Sequence, residues 1–168
     1  MKTSTSKLDI LPLAYTNNSR VCLLRPYTKG SFIERPPVIG IDYYVKAIKM
    51  HKKNVTIYLW NTTGTEKYKE ITYMYYNKVQ GSLLLFDVSN RSSFDEIPVW
   101  ISEIHKRVNR EVIIYLVASK IDIKKGRVVS KEEGQSMAKR YNIKYFETPA
   151  KENINLTEAI EGLAESCL

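Results

Sequence analysis

Leu59-Trp60-Asn61-Thr62-Thr63-Gly64-Thr65-Glu66 is the stretch around which this chain is organised. An alternating run, Val55 to Leu59, leads into it, and a polar, tyrosine-rich segment, Glu66 to Tyr76, leads out. β-Branched and aromatic residues followed by Asn, Thr and Gly spell a strand that ends in a turn. Just upstream, Val38 to Met50 also alternates and is rich in β-branched and aromatic residues. His51-Lys52-Lys53-Asn54 breaks the two runs apart, so together they predict a hairpin.

Outward from the hairpin the pattern alternates strand and helix. Lys7 to Leu13 reads as a first strand, with one ladder donor missing at Pro12. Ser19 to Arg25 reads as a short helix stopped by Pro26, and Tyr27 to Pro37 as a loop. Ser82 to Val88 and Val112 to Ala118 are continuous apolar runs, the pattern of central strands covered on both faces. Between them, Phe94, Ile97, Ile101, Ile104 and Val108 fall on one helical face. Ser130-Lys131-Glu132-Glu133 matches a capping box and opens a helix running to about Tyr141. Ile143 to Phe146 reads as a last strand, and Asn155 as the cap of a final helix through Leu163. This order predicts a three-layer α/β fold with a mostly parallel six-stranded sheet and one antiparallel strand. Ligands of such sheets sit at the carboxyl ends of the strands.

The bulk composition bounds the rest. The chain has 168 residues, 43% hydrophobic and 26% charged, which suits one globular domain spanning residues 1–168. It has no repeat, low-complexity tract or linker and no apolar run of ~18 residues, and no secretory signal is expected from its first residues. Cys22 and Cys167 lack metal-like spacing, and His51 and His105 stand alone, so neither a zinc site nor a nucleophilic triad is expected. The net charge is +8, gathered in His51 to Lys53, His105 to Arg110 and Lys120 to Lys131. Solvated loops and helix faces account for such clusters; an anionic partner is the competing reading. No DNA- or RNA-binding motif accompanies them, so no nucleic acid is expected.

Five stretches carry a family resemblance. Val38 to Tyr43, Trp60 to Tyr76, Gly81 to Phe94, Ala118-Ser119-Lys120-Ile121-Asp122 and Glu147-Thr148-Pro149-Ala150-Lys151 occur in order. They resemble the first-switch exit, the second switch, the central strand and loop, the guanine motif N-K-x-D and the E-T-S-A-K motif of Rab-type small GTPases. The resemblance implies a P-loop NTPase fold of the small-GTPase type. It also implies a guanine contact through Asp122, a stem of Lys120 packed along the base, and a backbone donor at Ala150 beside Lys151.

The phosphate end departs from that pattern. A P-loop, GxxxxGK[ST], uses glycines so that backbone N–H groups close on phosphates, a Lys for charge and a hydroxyl for Mg²⁺. The matching positions are Leu13 to Arg20, with Leu13 and Asn18 for the glycines, Ser19 for the Lys and Arg20 for the Mg²⁺ hydroxyl. Val38 replaces the first-switch Thr, Asn61 the Mg²⁺-associated Asp, and Thr65 the Gln that orients the attacking water. On the base side, Ser119 stands for Asn and Pro149 for Ser. These changes predict a pseudoGTPase with no catalytic residue, no metal site and no required cofactor; residual GDP or GTP binding on the base side is the alternative. The emptied site would be filled by its own side chains, such as Tyr15 and Arg20. Protein partners are expected on an aromatic triad, Tyr43, Trp60 and Tyr75. No lipidation motif is evident at Cys167. A cytoplasmic location is expected, at membranes or within an assembly.

Overall fold

The computed structural model describes residues 5–15, 17–29, 32–34, 41–62, 73–74, 76–149 and 154–168. In chain order these form β1 (Thr5–Ala14), α1 (Asn17–Thr28), β2 (Phe32–Glu34), β3 (Ile41–Met50) and β4 (Lys53–Thr62). There follow a 3₁₀ turn (Tyr76–Lys78), β5 (Gly81–Asp87), α2 (Arg91–Asp95), α3 (Ile97–Arg107), β6 (Ile113–Ser119), α4 (Lys131–Arg140), β7 (Lys144–Thr148) and α5 (Ile154–Ser166). The sheet order is β2-β3-β4-β1-β5-β6-β7. β4, β1, β5, β6 and β7 run parallel, and β3 runs against them.

The two-residue period of a strand explains the layers. In β5, Leu83 and Leu85 enter one core with Leu23 and Leu24 of α1 and Ile160 and Leu163 of α5. Leu84 and Phe86 point the other way, into a core with Ile97, Ile101 and Ile104. Each face therefore needs its own helical cover, and the apolar runs have no polar side because neither face meets water.

The six-stranded framework with one antiparallel strand is as expected, and a short edge strand extends it. β2, which pairs antiparallel with β3 from Phe32↔Val45 to Glu34↔Tyr43, was hidden because three residues between Gly30 and Pro36 read as loop. The hairpin of β3 and β4 pairs from Ile41↔Thr62 to Met50↔Lys53. Its turn is only His51 and Lys52, both at positive φ (47° and 66°), the twist that a two-residue connection requires.

Three boundaries differ from expectation. α1 runs through Pro26 to Thr28. Pro26 falls in its last turn, where one missing donor is tolerated, and the end closes by Lys29 N–H to Pro26 O (3.4 Å) and Thr28 Oγ1 to Arg25 O (3.2 Å). The expected helix from Phe94 to Val108 is two helices. Asn90 caps α2 by accepting from Ser93 N (3.3 Å), and Pro98 sits in the first turn of α3, where its missing N–H is harmless. Asn155 lies inside α5, which spans Ile154–Ser166, so it is not the residue before the helix.

The Ser130 capping box is present in full: Glu133 N donates to Ser130 Oγ (3.1 Å) and Ser130 N to Glu133 Oε2 (2.8 Å). Arg91, 2.6 Å away, together with the Ser130 N–H holds the Glu133 carboxyl down to about 2. Among the described residues no helix is long and apolar enough to cross a membrane.

One turn further along α4, Gly134 is a contact point between helix and sheet. A Cβ there would lie 2.5 Å from Cζ and Oη of Tyr145 on β7. That hydroxyl is tethered to Glu147 Oε1 at 2.8 Å, so the ring cannot swing away freely. Gly134→Ala would gain up to about 1 kcal/mol in helix propensity. The overpacking outweighs it, and the expected net loss is roughly 1–3 kcal/mol. Urea unfolding checks the sign, and adding Tyr145→Leu should recover part of the loss.

Candidate functional site

The carboxyl ends of β1, β5, β6 and β7 meet at one rim of the sheet. At β1, strand runs to Ala14 and helix resumes at Asn17, leaving only positions 15 and 16 as connection. Tyr15 is exposed there, so it does not fill the site. Arg20 does turn inward: it is 2% exposed, in the first turns of α1. Burial drags the Arg20 guanidinium down to about 10, countered in part by Tyr44 of β3 and Tyr76 of the 3₁₀ turn, both within electrostatic reach. Tyr76 is itself buried, and its hydroxyl is pushed well above the ordinary tyrosine range, mainly by that burial.

Across the rim, β6 delivers the guanine-motif residues. Ser119 is buried, and its hydroxyl donates to Phe86 O at 2.9 Å. Lys120 then adopts φ 63°, which turns the chain out of the strand, and Ile123 N–H closes the turn on Lys120 O at 3.2 Å. Lys120 Nζ lies 2.6 Å from Asp87 Oδ2 at the end of β5. The same carboxylate accepts from Ser89 N (2.8 Å) and Ser89 Oγ (2.6 Å) through Oδ1. Burial tends to raise the Asp87 carboxyl, but these bonds and the ammonium win and hold it below its usual range. Asp122 is exposed on the loop, and Ile121 N reaches Thr148 O at 3.5 Å, joining this loop to β7. Ala150 and Lys151 lie outside the described residues.

The interswitch aromatics gather on one face of the hairpin. Tyr43 packs against Trp60 (centroids 5.4 Å apart) and Tyr58 (5.1 Å). Trp60 is only 5% exposed, below the surface rather than on it. Its Nε1 donates to Asp9 Oδ1 at 3.1 Å, and Lys7 Nζ lies 3.7 Å from that same oxygen and 4.2 Å from the Tyr58 ring centre. Burial raises the Asp9 carboxyl in spite of both partners. Beside this patch Met74 is well exposed, and Arg107 stacks 3.5 Å from the Tyr73 ring centre. Tyr75 and Thr65 lie outside the described residues.

Sequence reasoning missed two partners at this rim. Asp87 was visible as the one acid closing an apolar strand, and Asp9 as the one acid inside another. Neither could be matched to Lys120 or Trp60 without the strand order.

A mostly parallel sheet with a hairpin on one edge, whose second arm and guanine-type loop flank the same rim, defines a small-GTPase fold. The chain belongs to the Ras family, whose family model matches residues 15–168, and its relatives are Rab proteins. It is 33% identical over 158 residues to human Ras-related protein Rab-37, covering 93% of this chain and 71% of that protein. It is 37% identical over 159 residues to Ras-related protein Rab-8B of Dictyostelium discoideum, covering 94% and 78%. GTP-binding protein ypt2 of Schizosaccharomyces pombe shares 33% over 158 residues, covering 94% and 79%.

The Lys120–Asp87 pair makes a pH-dependent contribution of known sign. Asp87 titrates lower folded than unfolded, so its contribution is complete above the ordinary carboxylate value of 3.8 and is lost as pH falls through and below it. Asp87→Asn keeps an oxygen for Ser89 and removes the charge. Its urea midpoint should fall below the parent's at pH 7, and the gap should narrow at pH 3; an equal gap at both would refute the pairing.

Proposed function

We propose that this chain is a Rab-like pseudoGTPase, a fixed protein-interaction or structural subunit in membrane traffic or a larger assembly. The observation that carries this reading is Arg20. The family keeps a hydroxyl at this position as a ligand of Mg²⁺; here a guanidinium is buried in the first turns of α1. A buried cation disfavours a second cation nearby, because both must be desolvated and they repel. Ser19, Val38, Asn61 and Thr65 remove the ammonium, the other hydroxyl ligand, the acidic group and the water-orienting amide. With the γ-phosphate no longer gripped, the switch segments lose the ligand that orders them in this family, and a single conformation follows. Tyr43, packed against Trp60, and Tyr75 would then offer a constant surface to a protein partner.

The second reading, a divergent Rab-like GTPase that still binds GDP or GTP, has its own support. Lys120 and Asp122 retain the base-side residue types, and the related ypt2 is named a GTP-binding protein. Asn61 Oδ1 is buried with no hydrogen-bond partner among the described residues, and such an acceptor suits a bound water or ligand donor.

Isothermal titration with GDP and GTP, each with and without Mg²⁺, separates the two. No binding tighter than roughly 100 μM, and no change on adding Mg²⁺, is the expected result. Micromolar, Mg²⁺-dependent binding that Asp122→Ala abolishes would establish the second reading.

A further inference from the structure

At the pole opposite the nucleotide rim, β6 and β7 begin and α3, α4 and α5 end. A cavity of about 380 Å³ opens among these elements, within the range of small-molecule sites. Buried Ile101 and partly buried Ile113, Tyr141 and Ile143 supply its apolar lining. His105, Arg110 and Lys144 are exposed around it, and Glu111 is the one acid among its lining residues. A smaller recess of about 230 Å³ alongside shares Arg110, Glu111, Ile113 and Ser166.

The cations here are of two kinds. Lys106 and Arg107 close α3, and Lys139 and Arg140 close α4, where they answer the negative ends of the helix dipoles. Arg110 and Lys144 have no such role: one sits in the connection from α3 to β6, the other opens β7. Arg110 is held in place, its Nη2 donating to Val79 O at 2.7 Å. Lys144 Nζ lies 5.2 Å from the Tyr115 ring centre. Two cations beside an apolar wall, one of them a planar fork of donors, match a doubly charged anion attached to an apolar group.

We propose that this cavity binds a phosphate monoester carrying an apolar group, with the phosphate at Arg110 and Lys144 and the apolar part against Ile113, Tyr141 and Ile143. A lipid headgroup and a soluble organic phosphate share this chemistry. The test uses the full chain with phenyl phosphate in solution, and with phosphatidylcholine vesicles containing none, phosphatidic acid or phosphatidylserine. Capture by phosphatidic acid vesicles assigns a bilayer source, and saturable phenyl phosphate binding alone assigns a soluble one. In either case Lys144→Glu should weaken binding at least about tenfold, and Glu111→Gln should tighten it. Both side chains are exposed, so circular dichroism and the urea midpoint should stay at parental values. Failure of both probes, equal capture by phosphatidylserine, or indifference to both substitutions would overturn the proposal.

Discussion

A guanidinium kept out of water in the first turns of α1 is the constraint on which the account of this molecule rests. Removing an ion from water is costly, and it persists only where nearby groups favour the charge. Tyr44 of β3 and Tyr76 of the 3₁₀ turn lie within electrostatic reach of Arg20, and burial lowers its guanidinium only to about 10, so it stays charged at neutral pH. Its charge therefore belongs to the interior of the protein, in the part of the fold where relatives of this family handle a metal and a triphosphate.

The scaffold around it stands on two apolar cores, one on each face of the sheet. β5 and β6 send alternate side chains into two separate apolar cores, and helices on both faces cover them. At the base-side rim the described residues tie to one another: Lys120 to Asp87, Ser119 to Phe86, and the backbone of Ile121 to Thr148. Arg127 adds a 2.6 Å contact with Glu147.

What could be read from the chain followed from periodicity. Leu83 to Phe86 and Ile114 to Val117 lack a polar side, which marked them as central, and Ser130 with Glu133 marked a helix start. The substituted phosphate residues were equally visible, because they are identities at fixed spacing. Three-dimensional pairings were not. Arg20 and Tyr15 were both named from the sequence to fill the emptied site, but only the packing of α1 against the sheet shows that Arg20 turns inward while Tyr15 stays exposed. Trp60 read as an anchor for a partner, since large aromatics suit interfaces; the neighbouring β1 supplies Asp9, and that hydrogen bond draws the indole down. The short β2 and the break at Glu96 depend on pairing and on a single proline, signals too local for a periodic pattern to carry.

The central claim is that the protein's own cation has taken over the phosphate end. Acid extraction of the natively purified chain, with chromatography of the released nucleotide and metal analysis of the same sample, tests it most directly. The account predicts substoichiometric guanine nucleotide and no bound magnesium; one GDP or GTP and one Mg²⁺ per chain would contradict it.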